Sequence, residues 1–236
     1  EELSGRLQSS AMNIRMVPVS YAFDRFPTEV RTIARTLNKK VKLIITGADT
    51  ELDKVLINQM IEPILHILRN AIDHGIEESK VRSSLGKNET GTIFLSAYYQ
   101  GSEAIIEITD DGQGIDTDKI LAKALDNGYL TKDYKNELPK DEILNLIFEP
   151  GFSTSEKLST ISGRGVGMDA VRNAINQVQG SVSVETTPNV GSKFKIKLPL
   201  SLAVAGVLLV EENTHIFAFP ILHIEEILII EKNNIN

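Results

Sequence analysis

Three groups of residues in this chain have types and spacings that suit chemistry. The first lies between Glu51 and His74. On a wheel of about 100° per residue, Ile57, Ile61, Ile64, Leu65, Leu68 and Ile72 share one stripe, while Glu62, His66, Asn70 and Asp73 share another face. An imidazole, a carboxamide and carboxylates therefore stand on a single ridge above an apolar stripe. A solvated face is the plain alternative, but Asn and His are poor helix formers, and a merely solvated face gains nothing from them. The second group is Asp110-Asp111-Gly112-Gln113-Gly114-Ile115-Asp116, at the end of the apolar run Ala104–Thr109. Two glycines two apart let the backbone approach a flat ligand, and a carboxylate there can accept a hydrogen bond from an exocyclic amine. An ordinary Asp-Gly turn is the alternative. The third is Gly163-Arg164-Gly165-Val166-Gly167-Met168-Asp169, opening into a helical pattern over Val166–Gln179. Free N–H groups at such a helix start bind phosphate oxygens.

Two familiar nucleotide motifs do not fit. A Rossmann fingerprint needs a strand immediately before its glycines, and here a polar Gly/Ser/Thr-rich stretch precedes them. A P-loop needs Gly-Lys-Ser/Thr, which this sequence lacks, and the His-Arg-Asp and Asp-Phe-Gly motifs of protein kinases are also missing. A nucleotide in another fold is the reading that remains.

The elements that must position these groups follow from periodicity. Residues 1–38 read as the end of one helix, a break at Val17-Pro18-Val19, and a second helix over Ala22–Leu37. Lys40–Thr46 alternates as a strand. Glu51–His74 is the strongest helix, with Thr50-x-x-Asp53 as a capping box and Gly75 as the C-terminal cap. Thr92–Tyr98 and Ala104–Thr109 form a hairpin through Gln100-Gly101-Ser102. Helices are expected at Thr117–Asn127, Lys140–Phe148 and Val166–Gln179, and a lid over Gly151–Gly167. Strands are expected at Ser181–Thr187, Lys193–Leu198, Val204–Val210, His215–Phe219 and Ile224–Ile230.

Composition narrows the function classes. Lys and Arg total 25 against 32 Asp and Glu, a net charge of −7, and no basic run offers a phosphate-neutralising surface for nucleic acid. With no cysteine, disulfides, thiolate catalysis and cysteine-ligated metals are excluded. The four histidines, His66, His74, His215 and His223, are too scattered for most metal centres. The longest apolar run, Leu202–Val210, is too short to span a bilayer, and no signal peptide opens the sequence.

Taken in order, the motifs resemble those of the histidine kinases. His66-Ile-Leu-Arg-Asn70-Ala-Ile-Asp73-His74-Gly75 resembles the N box, Asp110–Asp116 the G1 box, Phe148-Glu-Pro-Gly-Phe-Ser-Thr154 the F box and Gly163–Asp169 the G2 box. Gly191-Ser192 resembles the final glycine box. The similarity is closer still to the chemotaxis histidine kinases of the CheA family, in "LRNAIDHGIE", "DDGQGID", "FEPGFSTSE" and "SGRGVGMDAVRN". "RMVPVSYAFDRFPTEVR" is similar to the end of that family's dimerisation helices, and the sequence after Ser201 to the start of its CheW-like regulatory domain.

The resemblance implies an α+β fold, the two-layer sandwich of mixed sheet and helices shared with gyrase, Hsp90 and MutL. It implies dimerisation-helix and linker residues over 1–38, an ATP-binding catalytic domain over 39–200 and a truncated regulatory domain over 201–236. ATP and Mg²⁺ are the implied cofactors. Asn70 would coordinate the magnesium, and His66 would hydrogen-bond near the γ-phosphate and assist transfer. Asp110 would hold the adenine amine, with Gly112, Gly114 and Ile115 lining the base. Gly163, Arg164, Gly165, Val166, Gly167 and Met168 would form the lid hinge and phosphate-facing turn, with Ser153 and Thr154 from the F box. Arg69, Asp73, His74, Lys119 and Lys123 complete the implied nucleotide shell.

The implied reaction moves the γ-phosphate to a histidine on a separate phosphotransfer domain, for relay to response regulators. The implied partners are that domain, a CheW-like adaptor and chemoreceptors, in a cytoplasmic homodimer that binds no nucleic acid and does not enter the membrane. None of the four histidines lies in a stretch resembling the phosphorylated site, so autophosphorylation is expected only with that domain supplied in trans. The alternatives are an ATPase clamp, whose glutamate would occupy the place of His66, and a nucleotide-sensing scaffold without turnover.

Overall fold

The computed structural model describes residues 15–130, 138–152, 167–200, 207–212, 215–220 and 224. The chain separates into two compact units, Glu1–Leu200 and Ser201–Asn236.

The first unit opens with β1 (Met16–Pro18), α1 (Ser20–Phe23), α2 (Phe26–Thr36), β2 (Val41–Thr46) and β3 (Glu51–Asp53). There follow α3 (Lys54–Asn70), a π turn (Ala71–Gly75), α4 (Ser79–Ser84), β4 (Gly91–Gln100), β5 (Glu103–Asp110) and α5 (Thr117–Asp126). The unit closes with α6 (Lys140–Asn145), a 3₁₀ turn (Leu146–Phe148), α7 (Met168–Gln177), β6 (Ser181–Thr187) and β7 (Gly191–Pro199). Five strands pair in the order β2-β4-β5-β7-β6. β2 runs parallel to β4 and the other neighbours are antiparallel, which makes the sheet mixed.

Alternation puts Ile93, Leu95 and Ala97 of β4, Ile106 and Ile108 of β5, and Phe194, Ile196 and Leu198 of β7 in the core. Leu56, Ile57, Met60, Ile64, Ile67 and Leu68 bury one flank of α3, and α7 adds Val171 and Ile175. The result is the expected α+β sandwich of mixed sheet and helices. Burying such a side chain stabilises the fold by about 1.5–3 kcal/mol, so α3 is held by its apolar flank while its other flank is left for polar groups.

The strands and helices expected between Lys40 and Leu198 form where periodicity put them, within a few residues. The departures are local. The break expected at Val17–Val19 takes the form of a short strand, Met16–Pro18, paired antiparallel with Glu51–Asp53, and the helix expected over Ala22–Leu37 is divided into α1 and α2. The expected helix at Glu51 therefore starts three residues later, and the Thr50-x-x-Asp53 capping box does not form. Asp53 is itself the N-cap, its carboxylate accepting the Val55 N–H at 2.8 Å and pairing with Arg15. At the other end the α pattern widens: the Ile76 N–H reaches the Ala71 carbonyl at 2.7 Å. The wider turn alters the rotation per residue, so the 100° wheel holds to Asn70 and not for Asp73. The 3₁₀ turn at Leu146–Phe148 likewise replaces the end of the expected Lys140–Phe148 helix. Of the lid Gly151–Gly167, residues 153–166 lie outside the described residues.

In the second unit β8 (Val207–Glu212) and β9 (His215–Pro220) form an antiparallel hairpin. The strand expected at Ile224–Ile230 lies outside the described residues except for residue 224. No helix among the described residues is long and apolar enough to cross a membrane.

Candidate functional site

His66 and Asn70 sit one turn apart near the end of α3, both partly buried, whereas Glu62 a turn earlier is exposed. The Asn70 amide Nδ2 donates to the Met168 thioether sulfur at 3.1 Å. This contact ties the N-terminus of α7 to the polar flank of α3 and orients the amide. Burial, and then the Arg69 guanidinium, push the His66 imidazole below its ordinary value, and the Asp169 carboxylate opposes them. At neutral pH the ring is therefore uncharged and has both a donor and an acceptor nitrogen. Beside it, Arg69 Nε is buried without a hydrogen-bond partner among the described residues.

Asp110 closes β5 inside the protein, only 5% exposed. Its Oδ1 accepts the Gly112 N–H at 2.9 Å, and the Ser192 N–H also donates to the carboxylate. Burial, reinforced by Asp111 and Glu77, pushes its carboxyl up to about 6 despite those two amides. A perturbed carboxyl held in a cleft by backbone amides marks a functional candidate.

Glycines let the backbone pack directly around Asp110. A Cβ on Gly112 would lie 2.2 Å from the Gly75 carbonyl oxygen, and one on Gly75 would lie 3.2 Å from Asp110 Oδ1. Gly75 is therefore not the expected αL cap: its φ is not positive, and it serves close approach instead. Gly114 adopts φ +77°, and a Cβ there would meet the Thr187 carbonyl oxygen at 2.6 Å. Gln113 locks the loop to the end of α3, its N–H donating to Gly75 O at 2.9 Å and its Nε2 to His74 O at 2.7 Å. The Ile115 N–H donates to the Thr186 hydroxyl at 2.8 Å, and that hydroxyl donates to the Gly191 carbonyl.

The remaining candidates are dispersed. His74 Nε2 stands 3.8 Å from Asp73 Oδ2. Lys119 pairs with Asp116 at 3.5 Å and is 83% exposed. Lys123 follows one turn later on α5, partly buried. Gly167 is the N-cap of α7, and a Cβ there would collide with Asp169 Oδ1 at 2.4 Å. Ser153, Thr154, Gly163, Arg164, Gly165 and Val166 lie outside the described residues.

Sequence reasoning missed Thr186, Glu77, Arg82 and Lys87. Thr186 carried a faint signal, as the polar residue in the inward series Val182, Val184, Thr186. Arg82 carried none, since α4 reads as a solvated turn, yet its side chain is 1% exposed.

A mixed sheet with helices on one face, a buried acceptor in a closely packed glycine loop and an Asn–His pair on a facing helix define an ATP-binding domain of the kinase-and-clamp type. Residues 60–202 match the family described as histidine kinase-, DNA gyrase B-, and HSP90-like ATPase, and the chain belongs to that family. Within it, the chain is 46% identical over 233 residues to chemotaxis protein CheA of Bacillus subtilis, covering 99% of this chain and 35% of that protein. It is 43% identical to chemotaxis protein CheA of Listeria innocua, covering 99% of this chain and 38% of that protein. It is also similar to the histidine kinase domain of the blue-light activated histidine kinase of Erythrobacter litoralis, at 14% identity and a TM-score of 0.46, covering 78% of this chain and 66% of that one. The chain thus spans about a third of the length of the curated relatives it matches, and corresponds to the ATP-binding catalytic domain of a chemotaxis histidine kinase.

Proposed function

We propose that this domain binds Mg²⁺–ATP between α3, the Asp110–Ile115 loop and the start of α7, and passes the γ-phosphate to a histidine on a separate domain. The observation that carries the reading is Asp110, a buried carboxylate with backbone amides as partners, in a loop whose glycines let it pack closely against Gly75 and Thr187. Above pH 6 it is an unneutralised acceptor suited to the exocyclic amine of adenine.

Asn70 fits magnesium in a particular way. Its Nδ2 is engaged by Met168, which leaves the amide oxygen for a hard cation. No group of three or more His, Asp or Glu able to hold a metal occurs among the described residues, so the ion would be held jointly with the phosphates. When bound, it would neutralise charge on the transferring phosphoryl group. Arg69, with its unpartnered buried Nε, is suited to a phosphate oxygen, and the first amides of α7 add donors at the same end of α3.

Phosphoryl transfer depends mostly on positioning and charge stabilisation. His66, neutral at pH 7, can donate to a γ-phosphate oxygen without binding a proton of its own. A glutamate at that place would activate water instead; Glu62 is exposed and a turn too early, which favours transfer over hydrolysis. We assign the acceptor histidine, response regulators, a CheW-like adaptor, receptors and a homodimeric assembly in the cytoplasm to the whole protein, on the strength of the similarity to chemotaxis protein CheA. Titrating a fluorescent ATP analogue with and without Mg²⁺ tests the reading. Tight binding that needs both Mg²⁺ and Asn70 supports it, and binding indifferent to Asn70→Ala and Asp110→Asn refutes it. Ligand fluorescence must be the readout, because the chain has no tryptophan.

A further inference from the structure

Behind the Asp110 loop lies a cluster of charges that the proposed reaction does not use. Arg82, 1% exposed, donates from Nε to Asn88 O at 2.6 Å, from Nη1 to Glu77 Oε2 at 2.8 Å and to Asp111 O at 3.1 Å, and from Nη2 to Asp111 Oδ2 at 3.0 Å. Lys87 Nζ donates to Glu77 Oε1 at 2.8 Å, to Asp111 O at 3.0 Å and to Gly112 O at 2.7 Å. The second carboxylate oxygen of Asp111 accepts the Thr92 N–H at 2.9 Å. Burial alone would push the Glu77 carboxyl up, but the hydrogen bonds from Lys87 and Arg82 outweigh it and hold it below the usual range.

Two cations thus meet two carboxylates, and their remaining donors all go to backbone carbonyls. Three of those bonds converge on two successive carbonyls, Asp111 O and Gly112 O. Fixing both carbonyls fixes the intervening peptide planes and aims the Gly112 N–H at Asp110 Oδ1. Glu77 lies two residues beyond Gly75, whose carbonyl packs against Gly112 and accepts the Gln113 N–H. The cluster therefore couples the end of the helix bearing His66 and Asn70 to the loop bearing Asp110.

We propose that Glu77, Arg82 and Lys87 are positioning residues for base selection: they clamp the Asp111–Gly112 peptides so that Asp110 presents its carboxylate in one orientation. A buried ion cluster is a poor source of stability compared with apolar packing, and its use here is geometric. The proposal rests on Asp110 as the adenine acceptor. A loop left to fluctuate would leave the phosphate donors in place, but it would recognise the base less sharply.

The test compares the affinity of the full chain for ATP and for inosine triphosphate, which replaces the exocyclic amine by a carbonyl. Wild type should prefer ATP, and Lys87→Met should cut that preference about tenfold while the circular dichroism spectrum is retained. Lys87→Arg, which keeps the charge and the donors, should restore most of it. Should Lys87→Met fail to fold, Glu77→Gln, which keeps the shape and removes the charge, carries the same test with an expected loss of about threefold. A wild-type preference that survives both variants unchanged overturns the clamp alone. A wild type that binds both nucleotides equally overturns the adenine reading of Asp110, and the clamp with it.

Discussion

Asp110→Asn is the perturbation that exposes the site's stored cost. Burial raises the Asp110 carboxyl from 3.8 to about 6, and that rise corresponds to about 3 kcal/mol between protonation states. The sign follows from linkage. With a folded value above the unfolded one, the native chain binds more protons between pH 4 and 6, so the contribution of Asp110 is fully present below pH 4. It is lost as pH rises through 6. An asparagine does not titrate. Urea unfolding followed by circular dichroism, for wild type and variant from pH 4 to 8, isolates this one group as a difference. The variant should gain on wild type by about 3 kcal/mol between pH 4 and 7 and then level off. ATP-analogue affinity should move the opposite way: wild type binds best above pH 6 and weakens as the carboxyl takes up its proton, while the variant is weak throughout. A stability difference that stays flat with pH, or one in which the variant loses ground as pH rises, refutes the reasoning.

Further outcomes follow from the same geometry. Gly112→Ala places a Cβ 2.2 Å from the Gly75 carbonyl oxygen, and should lower the thermal midpoint and abolish nucleotide binding through a backbone shift costing about 1–3 kcal/mol. Arg82→Met leaves Glu77 buried with half its partners and should destabilise the fold by about 3–5 kcal/mol in urea titration. Asn70→Ala removes only a partly buried side chain whose amide meets Met168, so it should cost less than about 1.5 kcal/mol while lowering affinity for the Mg²⁺ complex far more than for metal-free nucleotide. His66→Ala should retain ATP-analogue binding and lose phosphoryl transfer, measured with γ-labelled ATP and a separate acceptor domain.

What was legible in the sequence was whatever repeats with a short period or sits at a strand end. The six-residue run Val41–Thr46, the β4–β5 hairpin and the apolar flank of α3 all declare themselves, and the helical spacing of His66 and Asn70 follows from that flank. The place of Asp110 was readable as a carboxylate at the end of a strand followed by two spaced glycines, a pattern that an ordinary Asp-Gly turn shares. The strands β1 and β3 are three residues each, too short to show a period, and they exist because each pairs with the other across 35 positions of sequence. Gly75 misled because a glycine after a helix usually caps it, whereas here the constraint comes from Asp110 and Gly112, far away in sequence. The Glu77–Arg82–Lys87 cluster was invisible for a related reason. Charged residues near one another read as a solvated surface until Asp111, from the loop after β5, closes over them.

The central claim is that this domain, holding ATP by Asp110 and Asn70, delivers the γ-phosphate to a histidine it does not itself carry. Incubating the chain with γ-labelled ATP, Mg²⁺ and a separately purified histidine-bearing phosphotransfer domain tests it directly. The account predicts acid-labile label on the added domain, none on the chain itself, and no transfer with Asn70→Ala. Steady release of inorganic phosphate without labelling of the added domain, or label appearing on the chain alone, would contradict it.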